Sequence, residues 1–405
     1  MSQRRILGLS RRQLVRGLLA TGAFGVTAKL TTACSPTANT GSSGTAASPT
    51  AGGSPTASGE PMTFGFIYVG PKDDFGWNQA HALGAASITK KFPNIKLVEE
   101  ASVPETTAVA ESMRSMIDID GAKVLFPTSF GYFDPHIIAM AKEFPDVQFF
   151  HAGGLYQEGV HPKNVGSYYG YIDEAQYISG IVAALTSKSG KLGFVAAKPI
   201  PTVLRNVNSY TLGARSVRPE ATTQVIFTGN WAEPIKEAEA VNSMADQGIE
   251  AITCHVDSPK VVMETAEKRG LFCTGYHADQ SSLAPKGYLT GAEWDWTSFY
   301  GRLTQEIMSG KTLAAGAIPH MQRGGLKEGF CKISAYGPAV STETKQKADA
   351  VLAQFMDGSM VIYKGEIKDN QGNVVISATQ QLKQQDPELE KMNYLVEGVI
   401  GRVGS

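Results

Sequence analysis

The chain has 405 residues, 43 of them glycine, with 42% hydrophobic residues and a formal net charge of −1. That length suffices for two domains with separate cores. The near-neutral charge, with no Lys/Arg cluster in the globular part, excludes a nucleic-acid binder, because such domains carry a clustered positive excess.

The first 34 residues read as an export signal rather than as part of the fold. Ser10-Arg11-Arg12-Gln13-Leu14-Val15-Arg16 has the twin-arginine pattern, and the uncharged run from Gly17 to Ala28 is short for a membrane span. Thr31-Thr32-Ala33-Cys34 reads as a lipoprotein cleavage box with Cys34 as the lipid-bearing residue, although Thr31 stands where an aliphatic residue is usual. Residues 35–60 are mainly Ser, Thr, Gly, Ala and Pro, with no charge before Glu60, so they read as a flexible tether. The expected location is the outer face of the cell membrane or the periplasm, with a lipid anchor.

The globular region opens on Phe64–Val69, an apolar β run. A Gly/Pro break, two carboxylates (Asp73, Asp74), the pair Trp77-Asn78 and a helical run of small residues follow. In an open α/β sheet such a strand–loop–helix puts its loop at the carboxyl edge, where ligands bind. Further strands are predicted at 96–100, 123–127, 147–151, 165–171, 191–197, 223–227, 251–254, 272–276 and 288–293. Helices are predicted at 106–120, 134–144, 174–188, 201–217, 234–247 and 258–269. The βαβα alternation implies parallel sheets covered by helices, and a break in rhythm near 165–171 favours two lobes over one large sheet. The expected division is 62–172 for lobe 1, 173–295 for lobe 2 and 296–405 for a C-terminal segment that returns to the hinge and both lobes.

No enzyme signature emerges. Gly310-Lys311-Thr312 lacks the upstream glycine of a phosphate-binding loop, and neither G-x-S-x-G nor H-E-x-x-H occurs. His255 and His277 end predicted strands beside Asp257 and Asp279, but strand-end histidines are ordinarily hydrogen-bonded loop residues, so neither a metal nor a cofactor is expected. Cys254, Cys273 and Cys331 lack a zinc-site spacing and read as small buried residues. What recurs at strand ends is aromatic residues interleaved with Asp, Asn and Gln. All four tryptophans, Trp77, Trp231, Trp294 and Trp296, fall there. Flat rings rimmed by carboxylates and amides suit a heteroaromatic ligand.

The blocks Phe64–Gly84, T-S-F-G-Y-F-D-P at 128–135, N-S-Y-T-L-G-A-R-S-V at 208–217, N-W-A-E-P at 230–234 and G-Y-H-A-D-Q at 275–280 together resemble the basic membrane lipoprotein family. These are substrate-binding lipoproteins of ABC importers, similar to the purine nucleoside receptor and to Med-like proteins. The resemblance implies an α/β fold of the two-lobe periplasmic binding protein type (type I). Each lobe would be a parallel sheet flanked by helices, with the ligand cleft between the lobes, and the partners an ABC permease and its ATPase. It also implies that Trp231 stacks on a base and that Asp74-Phe75-Gly76-Trp77-Asn78 forms the opposing loop. Asp279 is kept from the family's acidic loop, while His277 replaces a carboxylate.

The lysine with which nucleoside receptors help to hold ribose has no counterpart in Leu289–Trp294. The expected ligand is therefore a free purine base such as adenine or guanine. The expected contacts are Trp77 and Trp231 stacking on the base, Asp279 accepting its N–H, Asn78 and Phe130 completing the wall, Tyr171 and Trp296 near the hinge, and Asp74 capping the helix. The protein is expected to act as a monomer and not as an enzyme. A nucleoside receptor and a ligand sensor are the alternatives, and an exported nucleoside hydrolase using Asp279 and His277 is a distant one.

Overall fold

A computed structural model describes residues 61–403; the export signal, Cys34 and the tether lie outside the described residues. The first lobe is built from β1 (Met62–Ile67), α1 (Trp77–Lys91), β2 (Ile95–Glu100), α2 (Ala108–Asp118), β3 (Ala122–Pro127), α3 (Ile138–Glu143), β4 (Gln148–Ala152) and β5 (Val165–Gly170). The chain then runs through α4 (Asp173–Thr186), β6 (Lys191–Ala196), α5 (Pro201–Val217), β7 (Thr222–Phe227), α6 (Pro234–Asp246), β8 (Ala251–His255), α7 (Lys260–Lys268), β9 (Phe272–His277) and β10 (Tyr288–Trp294). It recrosses with α8 (Trp296–Met308) and β11 (Met321–Gly324), then returns with β12 (Cys331–Ile333) and α9 (Thr342–Asp357). Two short hairpins follow, β13 (Tyr363–Lys364) with β16 (Gln381–Leu382) and, between them, β14 (Ile367–Lys368) with β15 (Val374–Ile376); β17 (Val399–Ile400) comes last.

The strands form two main sheets, β11-β5-β4-β3-β1-β2 and β12-β10-β9-β8-β6-β7-β17. All their pairings are parallel except β10 with β12. A parallel sheet needs helices on both faces, so its inner strands are apolar throughout rather than alternating. Accordingly β4, β8 and β10 are buried along their whole length. The C-terminal third supplies β11 to the first sheet and β12 and β17 to the second. Three connections thus pass between the sheets, after Gly170, after Trp294 and after Gly324.

The rows of small residues in α4 and α5 have a packing purpose. A Cβ at Gly180 would sit 2.0 Å from the Tyr210 carbonyl oxygen, and one at Gly213 would sit 2.0 Å from that of Tyr177. Only glycine lets these two helix backbones touch. Cys254, Cys273 and Cys331 are free and buried. The one stretch that departs from the expected secondary structure is 130–143. A 3₁₀ turn (Phe130–Tyr132) and a π turn (Phe133–Ile137) precede a six-residue α3, because Pro135 has no N–H to donate to a regular helix.

Candidate functional site

The carboxyl ends of both sheets face one partly open cavity of about 70 Å³, lined by Trp77, Glu105, Ser129, Phe130, Ala152, Gly153, Tyr169, Ile200, Thr202, Trp231, His255, Asp257 and His277. Each lobe contributes through loops that leave strand ends, the position where open α/β sheets bind ligands. Ser129 and Phe130 follow β3, Gly153 follows β4, Trp231 follows β7, Asp257 follows β8, and His277 ends β9. Trp77 is the first residue of α1. Its indole N–H donates to the Thr128 carbonyl at 2.9 Å, and His81, His277 and Trp294 meet its ring edge-to-face. That packing fixes the plane a ligand would meet.

The lobes touch across the mouth of the cavity. The Trp77 amide donates to the Asp257 carbonyl at 3.0 Å, the Ser258 hydroxyl to the Asp74 carbonyl at 2.9 Å, and the Gln280 side-chain amide to the Phe75 carbonyl at 2.6 Å. Gly76 makes this approach possible, since a Cβ there would lie 1.9 Å from the Asp257 carbonyl oxygen. Phe75 and His277 both hold a left-handed backbone, with φ of 56° and 74°. Non-glycine residues keep that conformation only where their surroundings over-determine it.

Of the residues expected at the site, Trp77, Phe130 and Trp231 line the cavity together. Phe130 is 49% exposed, and Trp231 lies against the His255 ring with Lys198 over it. The other five lie elsewhere. Asp74 is buried and accepts from the backbone N–H groups of Gly76, Asn78 and Gln79 and from the Asn78 amide, so its oxygens cap α1. Asn78 is committed on both sides, to Asp74 and to the Gly70 N–H. Asp279 turns away into the loop, where it accepts from the Ser281 N–H. Tyr171 is covered by the Arg205 guanidinium at 4.9 Å. Trp296 is 1% exposed and stacked between Trp294 and His81 in the core. Asn78 and Trp296 sit in the first turns of α1 and α8 and point into the protein, while for the loop residues sequence order alone does not say which side chain faces the cleft.

Glu105, Tyr169, Thr202, His255, Asp257 and His277 line the cavity without having been singled out as ligand contacts. His255, Asp257 and His277 carried the signal of polar residues at strand ends. Tyr169 lies inside an apolar strand and carried none.

The lining is mainly apolar, and its side-chain polar groups come mostly from Glu105, Ser129, Thr202, His255, Asp257 and His277. Burial pushes the Asp257 carboxyl up to about 8, with Asp74, Glu105 and Glu237 adding to the rise and Lys198 opposing it. At neutral pH that carboxyl mostly keeps its proton and can donate a hydrogen bond. Glu105 accepts from the Ser129 hydroxyl and the Gly131 N–H, which ties the Phe130 loop down. His255 accepts from the Asn206 amide at 2.8 Å on Nδ1, and burial lowers its pKa to about 3. His277 accepts from the Trp294 indole at 2.8 Å on Nδ1, and burial holds it well below the usual imidazole range. Among the described residues lining the cavity there is no Lys or Arg. Lys198, over the Trp231 ring, is the basic group beside this lining, and an uncharged flat molecule finds rings and hydrogen-bond partners in it.

Residues 62–371 match the family model described as ABC transporter substrate-binding protein PnrA-like. The chain belongs to this family. Within it, the chain is 32% identical over 342 residues to a purine-binding protein of Brucella abortus, covering 84% of this chain and 93% of that one. It is also 31% identical over 373 residues to a protein named as a candidate ABC transporter glucose-binding protein of Haloferax volcanii, covering 90% of this chain and 89% of that one. Among solved structures, a transcriptional activator of the comK gene from Bacillus halodurans matches with a TM-score of 0.63 at 19% identity, covering 74% of this chain and 99% of that one. An ABC transporter solute-binding protein from Conexibacter woesei matches with a TM-score of 0.60 at 20% identity, covering 74% and 97%. The fold is thus the two-lobe α/β fold of periplasmic binding proteins, and the chain is an extracytoplasmic substrate-binding protein of an ABC transporter.

Proposed function

We propose that this PnrA-like protein captures a free purine base in the cavity between its lobes and delivers it, in the closed form, to a membrane permease driven by an ATPase. The observation that carries the reading is the lining itself. Trp77, Phe130, Tyr169 and Trp231 supply aromatic walls, and Asp257, His277, Ser129 and Thr202 supply uncharged or nearly uncharged hydrogen-bonding groups. A purine offers two flat faces and an edge of ring nitrogens and N–H groups, which is what such a lining complements. The purine-binding name of the Brucella abortus relative supports the same ligand class.

In this reading the chain leaves the cytoplasm by the twin-arginine route, is lipidated at Cys34 and works as a tethered monomer without catalysis. Asp279 and His277 make a poor acid–base pair, because the carboxylate is on an exposed loop and the imidazole is buried and neutral. A second reading, sugar capture, is favoured by the name of the Haloferax volcanii relative and by the ability of Trp to stack on a sugar ring. Calorimetric titration with adenine, guanine, hypoxanthine, adenosine, inosine and glucose separates the two. Free bases binding at least tenfold tighter than nucleosides and glucose supports the proposal, while glucose or nucleosides binding best removes it.

A further inference from the structure

Arg323 stands outside the cavity and yet backs two parts of its wall. It lies on β11 opposite Tyr169 of β5 in the parallel register, and its guanidinium carbon is 5.7 Å from the centre of the Tyr169 ring. The same guanidinium donates to the Gly154 carbonyl at 3.1 Å. It also covers the open side of that glycine, where a Cβ would meet the guanidinium carbon. Tyr169 and Gly153 line the cavity, so one arginine, only 18% exposed, supports both the ring and the loop after β4.

The counter-charge for Arg323 comes from the far end of the chain. Glu390 sits on the short turn Leu389–Lys391, whose Leu389 is buried and which packs against α5. One Glu390 oxygen lies 3.8 Å from Arg323, and the other lies 4.0 Å from Arg205 of α5. Arg205 is fixed independently, by an ion pair with Asp173 at 3.0 Å and by hydrogen bonds at 3.0 Å to the backbone and side-chain oxygens of Gln384. Arg323 directly precedes the crossing after Gly324, and Asp173 follows the crossing after Gly170. Glu390 therefore bridges an arginine on the first sheet to an arginine on a helix of the second lobe. Tyr169 and Thr202 also border a second cavity of about 20 Å³ that Arg205 and Glu390 help to line, so this cluster lies directly behind the ligand cavity.

We propose that Arg323 is a positioning residue, which sets the Tyr169 ring and the Gly153–Gly154 loop for the ligand, and that Glu390 is an electrostatic latch joining Arg323 to Arg205 across the two lobes. The inference rests on the clamp reading for the movement and on the purine reading for the choice of probe. Parting the lobes to admit a ligand parts the two arginines, so the bridge favours the form in which the lobes meet. Glu390 is 40% exposed, so each of its ion pairs is weak and screened by salt. A latch of that strength biases closure without preventing release.

Glu390→Gln keeps the shape of the side chain and removes its charge. Calorimetry with adenine compares about 0.05 M with about 0.5 M sodium chloride, between which the screening length falls from about 14 Å to about 4 Å. Adenine carries no net charge near pH 7, so a salt effect reports the protein's own ion pairs. The natural protein should lose about threefold to tenfold in affinity at the higher salt. Glu390→Gln should be weaker by the same factor at low salt and should lose less than twofold more at high salt. Equal affinity of the two proteins at low salt, or an equally large salt effect in the variant, overturns the latch. Adding Glu390→Gln to Arg323→Gln should cost less than twofold beyond Arg323→Gln alone, because the bridge is already broken; additive losses overturn the coupling.

A ligand-free measurement stands beside these. Protein labelled with 3-fluorotyrosine, with the Tyr169 signal assigned by its loss in Tyr169→Phe, is examined by fluorine-19 NMR. The Tyr169 signal should shift or broaden in Glu390→Gln as it does in Arg323→Gln; a signal unmoved by Glu390→Gln overturns the proposal. If adenine does not bind at all, the purine reading falls, while the Tyr169 signal still decides whether Glu390 acts on the cavity wall through Arg323.

Discussion

Trp231 is the residue on which ligand capture and stability separate most cleanly, because it lines the cavity and is only partly buried. Stacking of a base on an aromatic ring contributes about 1–3 kcal/mol by alanine substitution, which corresponds to roughly 5- to 150-fold in affinity. Trp231→Ala should lose that much purine affinity by calorimetry and keep a cooperative thermal transition; unchanged affinity would remove Trp231 from the site. Asp74 is the opposite kind of residue. It accepts three backbone N–H groups at the start of α1 and is buried, so Asp74→Ala should cost about 1–3 kcal/mol in chemical denaturation through lost capping.

His151 gives a pH-dependent test. It is fully buried beneath Gly153, and burial lowers its pKa from 6.5 to about 4. The unfolded chain therefore takes up a proton below pH 6.5 that the folded protein refuses until about pH 4, and stability falls as pH falls through that window. His151→Gln removes this term. Its stability deficit relative to the natural protein should shrink by about 1 kcal/mol between pH 7 and pH 5.5 in urea titrations. A deficit independent of pH contradicts the buried neutral state.

At the scale of elements, the loop into α1 and the loop after β8 form the contact that closes the cleft. A Cβ on Gly76 would meet the Asp257 carbonyl at 1.9 Å, where the two lobes meet. Gly76→Ala should thus leave each lobe folded but block full closure. The expected result is at least tenfold weaker ligand binding, with no contraction on ligand addition by small-angle X-ray scattering. Normal affinity and normal contraction would mean that closure does not use this seam.

Most of this element layout was legible in the sequence, because parallel strands buried on both faces leave short apolar runs and the segments between them have helical length. The run 191–197 and the helix at 201–217 are examples. The 130–143 stretch was less legible, because Pro135 breaks a pattern whose apolar spacing still looks helical. The site was legible as a set of loops rather than as side chains. Trp77, Phe130 and Trp231 announce themselves as large rings at strand ends. The choice between Asp279 and Asp257 depends on which way each loop turns, and the turn is set by contacts such as Gln280 with the Phe75 carbonyl, more than 200 residues away in the chain.

For the molecule as a whole, the proposed function requires the two sheets and three crossings to act as a hinged clamp, which a ligand would shift toward the closed state by its differential affinity for that state. Binding to the folded form alone adds about 2.7 kcal/mol of stability at a ligand concentration one hundred times Kd. The central claim, that the clamp closes on a free purine base, is tested most directly by calorimetric titration of the purified mature protein with adenine, guanine, hypoxanthine, their nucleosides and glucose. The account predicts saturable binding of at least one free base, at least tenfold tighter than any nucleoside or glucose. Preferential binding of glucose or of a nucleoside, with the bases silent, would contradict it.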